Sequence, residues 1–577
     1  MGVKQGATRL LGFSRGLGYT RSRERVVMES RSYVILGALW AVLAGLVYPA
    51  LGADNPDWRV CVGETTAGSD LVIKTCTAVI QSGRESKARL AIAHYSRATA
   101  YRLEGRTDPA IRDYDQAIEL DPKYAVAYND RGAVYMQKIQ PNRAIQSFDQ
   151  AIKLNPRLAS AYNNRGGAYS SKGEFDLAIR DYDQAIRLAP SDAAAFNNRG
   201  LAFARRGEVD RAIEDFDKAI RLDPKLAVAY NNRGGAYGRK ADLERAARDY
   251  DQAIKLVPWD ATSFNNRGLI YARRGENDRA IKDYDEAIRL DPGLAVAYNN
   301  RGNAFSSKGE DARAIQDYDR AIWLDPGYAF AYNNRGNAYR SLGDARRAIR
   351  DFDQAIFIAP DYALAFNNRG NTYASLGELD RAIQDYDQAI RLAPTLAMAY
   401  SNRANAYSNK GELDRAIQDY DQAIRLNPSD VTAYDNRGLA HTRKGDIDRA
   451  IVDFDQAIAL RPTDASAWNA RCFARAVAGY LGPALVDCNQ ALRLRPEDAN
   501  VLDSRGFVYL KLGQIDQAIA DYDAALRLDP RKAHTLYGRG LAKRRKADLA
   551  GAEADIATAS AISPRIAEQY RGYSIPP

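Results

Sequence analysis

Histidine, cysteine, methionine and tryptophan are scarce, at 3, 4, 4 and 5 of 577 residues. The histidines (His94, His441 and His534) fall at unrelated places, too few for a histidine metal centre or a proton relay. No CxxC spacing occurs, which argues against zinc or thioredoxin-like chemistry. No Gly-rich phosphate loop occurs either. These absences remove the common enzyme designs, and the expectation is a non-enzymatic chain with no cofactor and no metal. Clustered positive charge is also missing. Of the net +9, residues 1–53 carry +5, so the other residues carry only +4. A pI near 9.1 is therefore no sign of nucleic acid binding, which needs a basic face.

There is one long uncharged apolar run, Ser32 to Ala53. It is long enough to span a bilayer. It also ends in Pro49-Ala50-Leu51-Gly52-Ala53-Asp54, small residues before a polar one, as signal peptidase requires. Residues 1–53 thus read as a basic leader with a signal peptide or a signal anchor. Met28 is an alternative start that leaves a short basic segment. On either reading the basic flank stays inside and the rest is exported, with membrane contact only through a retained anchor. The cysteines fall in two close pairs, Cys61/Cys76 and Cys472/Cys488. In an oxidising compartment such pairs suit disulfides; small buried apolar residues are the other reading.

What the chain does have is a period. An arginine recurs every 34 residues from Arg97 to Arg539, fourteen times, and a proline keeps the same beat from Pro122 to Pro564. A typical unit runs Ala161-Tyr162-Asn163-Asn164-Arg165-Gly166-Gly167-Ala168-Tyr169, Lys172-Gly173-Glu174, Ala178-Ile179-Arg180-Asp181-Tyr182-Asp183-Gln184-Ala185-Ile186, then Pro190. Apolar residues in the two long blocks have helical spacing, with Gly173 as a stop between them. The proline closes the second helix. Each unit is a helix pair that cannot bury its apolar face alone, so the units must stack.

This unit resembles the tetratricopeptide repeat, and the resemblance covers residues 91–566. It implies an all-α, right-handed α-α superhelical solenoid of about fourteen 34-residue repeats. Residues 54–90 read as a degenerate capping repeat and 567–577 as a C-terminal cap, with a polar helix near Ile566 to Tyr573. Number each unit so that its proline is position 32. The family's aromatic at position 4 is Tyr or Phe (Tyr128, Phe196, Tyr298, Phe366) or Trp468, and positions 20, 24 and 27 carry Ala, Tyr/Phe and Ala. Their spacing makes the rings inter-helix core rather than stacking platforms. Position 7 departs from the family, with Arg in place of Leu in every unit. Position 23 is Asp in thirteen units, with Ser147 the exception. The expectation is a repeated Arg–Asp bridge to a second helix of the same or the preceding unit. The cysteine pairs, near positions 8 and 24, would join the two helices of one repeat.

In such arrays the first helices line the concave face through positions 2, 5, 6, 9, 12 and 13. Position 6 is Asn in nine consecutive units, including Asn232, Asn266, Asn300, Asn334, Asn368 and Asn402. Position 9 joins it in the centre as Asn303, Asn337, Asn371 and Asn405. Asparagine is a mediocre helix former. A carboxamide both donates and accepts, so a row of them suits the backbone of an extended polypeptide. The row is similar to the asparagine ladder of O-linked N-acetylglucosamine transferases. Duplication also copies residues, so a scaffold role stands beside the ligand role. A weaker basic stripe, Arg205, Arg239 and Arg273 at position 13, suits carboxylates or acidic sugars. The carboxylate clamp of chaperone-binding members is not reproduced, because it needs Lys where this chain has Asn. The pattern looks like repeat-only proteins of alphaproteobacteria. The expected function is a periplasmic protein-interaction scaffold whose partners are other proteins or peptides. The alternative is a polysaccharide-handling protein of the cell envelope, similar to subunits of exopolysaccharide secretion systems.

Overall fold

The computed structural model describes residues 56–63 and 67–573. The basic leader, its apolar run 32–53 and Met28 lie outside the described residues. Among the described residues there are thirty-one helices and no strand. None of these helices is long and apolar enough to cross a membrane.

The chain divides into two compact units, the first ending at Asp325 and the second starting at Pro326. In the first, two short helices, Pro56–Cys61 and Ser69–Gln81, precede seven helical hairpins that run from Lys87 to Leu324. In the second, seven hairpins run from Ala329 to Ile562 and a last helix spans Ile566–Gly572. Within each unit the two helices of a hairpin pack on each other, and each second helix packs on the next first helix.

Local chemistry explains these boundaries. The first helix Ala159–Ser171 stops where Gly173 takes φ 81, a left-handed conformation that costs glycine nothing. The second helix Phe175–Leu188 stops because a residue before proline is driven out of the α region. Ala189, before Pro190, accordingly sits at φ −134, ψ 80. Five first helices are capped by an aspartate just beyond the proline; Asp192, for example, accepts from the backbone N–H of Ala194 and Ala195.

The hairpins close through small residues against rings. Ala161, Ala168, Ala178 and Ala185 are fully buried. A Cβ on Gly166 would lie 2.8 Å from the ring of Tyr182, so glycine at position 8 lets the helices approach. The position-24 rings Tyr114, Phe148, Phe216, Tyr284 and Tyr386 are buried core, as expected. The position-4 rings are mostly only half-buried, because they flank the arginine.

That arginine makes both bridges, to two different aspartates. Arg165 Nε and Nη2 donate to Asp181 of its own hairpin at 2.8 and 2.7 Å, and Nη1 donates to Asp149 of the preceding one at 2.6 Å. Its guanidinium lies 5.6 Å from the Tyr162 ring and 6.0 Å from that of Tyr169. Where Ser147 replaces the inner aspartate, Arg131 keeps the outer one, Asp115, at 2.6 Å.

The terminal helix corrects one expectation. It is not polar throughout: Ile566 and Tyr570 are 2% and 1% exposed, because this face closes the last hairpin.

Candidate functional site

The position-6 asparagines are half-buried on the first helices. Eight of the nine spend one amide N–H inside the scaffold. In the first unit Asn164, Asn198, Asn232, Asn266 and Asn300 donate to the position-5 carbonyls of Asn129, Asn163, Asn197, Asn231 and Asn265, at 3.0, 3.1, 2.9, 3.0 and 3.1 Å. In the second, Asn368 and Asn402 donate to Asn333 and Asn367, each at 2.9 Å. The acceptors Asn129, Asn197, Asn265, Asn333 and Asn367 are buried in the joints between hairpins, where an unpaired carbonyl would be costly. Position 5 is therefore a scaffold position. Position 6 is mixed: one N–H holds the joint and one remains on the half-buried face.

Asn334 is oriented by Asn333, which donates to its carbonyl at 3.3 Å. Asn436 turns to the carbonyl of Asn405, at 3.0 Å, because Ser401 replaces its usual acceptor.

The position-9 asparagines are held from below. Tyr318, Tyr386 and Tyr420 donate their hydroxyls to the carbonyls of Asn303, Asn371 and Asn405 at 2.8, 2.8 and 2.5 Å. At Asn337 the ring beneath is Phe352, and Arg340 donates instead at 3.1 Å. The side-chain amides of Asn303 and Asn371 have no partner among the described residues. Their carbonyls are fixed and their N–H groups are presented.

The basic stripe divides. Arg239 donates to the carbonyl of Ala204, and Arg273 to that of Gly238 at 2.6 Å, each capping the preceding first helix. Arg205 is exposed and makes no such bond. Burial, and then the charge of Arg205, hold the Arg239 guanidinium below its usual value.

Cys61 and Cys76 stand with Cα atoms 4.8 Å apart, Cys472 and Cys488 with theirs 5.4 Å apart, and in both pairs the sulfurs are at bonding distance. All four are buried.

Two features escaped the sequence reading. Asp435 stands at position 5, where most units carry Asn, and the next position 6 is Ala470 rather than a donor. Its Oδ1 has no hydrogen-bond partner. Burial, and then the Asp464 carboxylate, push Asp435 up to about 7 despite Arg461. The Asn-to-Asp change opposite an alanine was the available signal.

The second is an aromatic seat on the last first helices. Phe473 and Phe507 occupy position 9, His534 position 2 and Tyr537 position 5. Against them pack Tyr570 and Tyr573 of the terminal segment. Phenylalanine in place of the non-aromatic residues found at position 9 upstream was the visible sign.

Family models described as tetratricopeptide repeat or TPR repeat match residues 98–138, 129–179, 168–227, 227–258, 268–309, 302–343, 336–377, 370–411, 397–430, 431–464 and 506–546. No curated protein matches the chain. Among solved structures it is similar to the APC/C hetero-tetramer Cut9–Hcn1, with 17% identity, a TM-score of 0.46, and coverage of 81% of this chain and 99% of that one. It is similar to YrrB, a TPR protein described as having an unusual peptide-binding site (26% identity, TM-score 0.27, 32% of this chain and 95% of that one). A tetratricopeptide repeat protein from Parabacteroides merdae is also similar, with 19% identity, a TM-score of 0.37, and 43% and 98% of the two chains covered. With the paired helices, the position-8 glycines under rings and the family matches along most of its length, this chain belongs to the tetratricopeptide repeat family.

Proposed function

We propose that the chain is an exported scaffold that holds extended polypeptide segments along its first-helix face. Tetratricopeptide repeat proteins are in general non-catalytic and bind other proteins or peptides. The observation that carries the finer reading is the fixed presentation of carboxamides. Asn303 and Asn371 offer N–H groups whose carbonyl ends are already tied to tyrosines. Beside them, Asn300 and Asn368 each keep a second N–H after bonding their scaffold partners. Pre-oriented donors suit the carbonyls of an extended chain and ask little of its side chains. The buried cysteine pairs support an oxidised state, and with it an exported location.

The test uses a reduced, alkylated polypeptide and an acidic oligosaccharide as probes of the full chain. The wild type should bind the polypeptide and not the sugar. Asn303→Ala with Asn371→Ala removes two presented amides, and should weaken binding about tenfold, on the order of 0.5–1.5 kcal/mol per hydrogen bond. Equal binding by the variant, with an unchanged melting temperature, sinks the asparagine site. Preference for the sugar turns the reading to an envelope polysaccharide.

A further inference from the structure

We propose that the aromatic seat at the C-terminal end is a receptor for a polypeptide segment carrying two aromatic side chains. The chain's own terminal segment, Ile566 to Tyr573, is then its resident and exchangeable ligand. This rests on the reading that first-helix faces hold polypeptide, but on different residues.

The seat's floor lies at position 9, which in every upstream repeat is non-aromatic. Phe473 and Phe507, one repeat apart, form its floor, with centroids 5.6 Å apart. Tyr573 packs on both, at 5.4 and 5.7 Å. Tyr570 packs on Phe507 at 5.9 Å and on His534 at 4.7 Å. These distances fall in the range of favourable aromatic pairs. Tyr570 lies in the helix and Tyr573 just beyond its end, where its N–H donates to the Tyr570 carbonyl at 3.2 Å and the turn brings both rings to the same surface.

Backbone recognition completes the seat. Tyr570 Oη donates to the carbonyl of His534 at 2.9 Å. Lys511 Nζ donates to the carbonyl of Tyr573 at 3.2 Å, while also holding that of Ala476 at 2.8 Å. Position 13 thus supplies a charged donor to the ligand's main chain.

Two physical points make the occupant exchangeable and define its chemistry. A helix of seven residues is too short to persist alone, so the segment is ordered by its seat. Phe507 is 0% exposed with the segment in place. Leaving the seat uncovers that ring, so a replacement has to bring aromatic surface of its own.

The experiment uses the full chain and a labelled peptide with the sequence of residues 565–577. In the wild type the tethered copy competes, because its effective concentration far exceeds that of added peptide. Tyr570→Ala with Tyr573→Ala should raise affinity for the peptide at least about tenfold. A peptide with both tyrosines replaced should show no such gain, and adding Phe473→Ala to the variant should abolish the gain. No gain by the double variant, at unchanged helix content, overturns the proposal. If the double variant loses helix content, Tyr573→Ala alone leaves buried Tyr570 in place. It should show the same gain in smaller degree, and no gain there overturns the proposal equally. Asn303→Ala with Asn371→Ala should leave this gain untouched, so either reading can fail without the other.

Discussion

Arg369 shows how one residue type does two jobs. It donates to Asp385 through Nε and Nη2 at 2.9 and 2.7 Å, and to Asp353 through Nη1 at 2.5 Å. The Asp385 side chain is 7% exposed and that of Asp353 is 50% exposed. Removing Asp385 strips the Nε and Nη2 donors of their buried acceptor and leaves the half-buried guanidinium only the exposed Asp353, so Asp385→Ala should cost roughly 3 kcal/mol. The outer pair is screened, and Asp353→Ala should cost below about 1 kcal/mol. Urea midpoints of the two variants check this; equal losses would mean that burial does not separate the two bonds. The related carboxyl of Asp113 is pushed up by burial, but bonds from Arg97 and His94 outweigh this and hold it below the usual carboxylate range.

Asp435 behaves oppositely. Its folded value of about 7 lies above the ~3.9 of an unfolded aspartate. The folded chain therefore holds the proton more tightly. That contribution to stability is complete below about pH 4 and is lost as pH rises through 7. Asp435→Asn removes the titration, so its melting temperature should gain on the wild type steadily between pH 4 and pH 8. A difference constant across that range would contradict the assignment.

At the scale of the element, the turn between paired helices needs one left-handed residue, and most units supply glycine. Three do not: Ile139, Ala241 and Ala547 sit at φ 58, 60 and 66. A side chain costs roughly 1–2 kcal/mol in that region. Ile139 is 59% exposed and contributes little packing. Ile139→Gly should thus stabilise by up to about 1 kcal/mol, the rest being lost to glycine's freedom in the unfolded chain. A lower thermal midpoint for this variant would show that the turn is not strained. Position 8 illustrates the reverse constraint. Gly336 and Gly370 lie under rings with no room for a Cβ, yet Ala404 occupies the same position in its unit, so hairpins adjust when the whole unit is built for it.

At the scale of the molecule, stacked repeats contact mainly their neighbours, and stability is distributed unit by unit. A cross-link then acts locally. In the proposed oxidised state, the Cys472–Cys488 pair closes a loop over 16 residues. A loop of that size is worth about 3 kcal/mol in the chain-entropy account. Reduction should speed amide exchange in Ala465–Ala478 and Leu481–Leu494 while leaving Ala193–Arg206 unchanged. Uniform loosening of all repeats would argue against local coupling.

The repeat, the hairpins, the turn glycines and the buried rings were legible because each is written in local chemistry at fixed offsets. Gly173, Pro190 and Ala178 need only their own helix pair to have meaning. The Arg–Asp bridges were half legible: position 23 could be paired by helical phase, but Asp149 and its counterparts required the next hairpin to be in place. The asparagines were legible as a row and not as a function. Which of two adjacent carboxamides faces a joint and which faces outward depends on the packing angle between hairpins. The aromatic seat depends on a segment that folds back over residues up to a hundred positions earlier, as Tyr573 does onto Phe473. By itself, then, the sequence determined an array of helix pairs, because 34-residue periodicity and local sterics admit no other arrangement. Only the tertiary structure decided which amides are spent in joints and which are presented, because hydrogen-bond partners 35 residues apart meet only after the repeats have stacked.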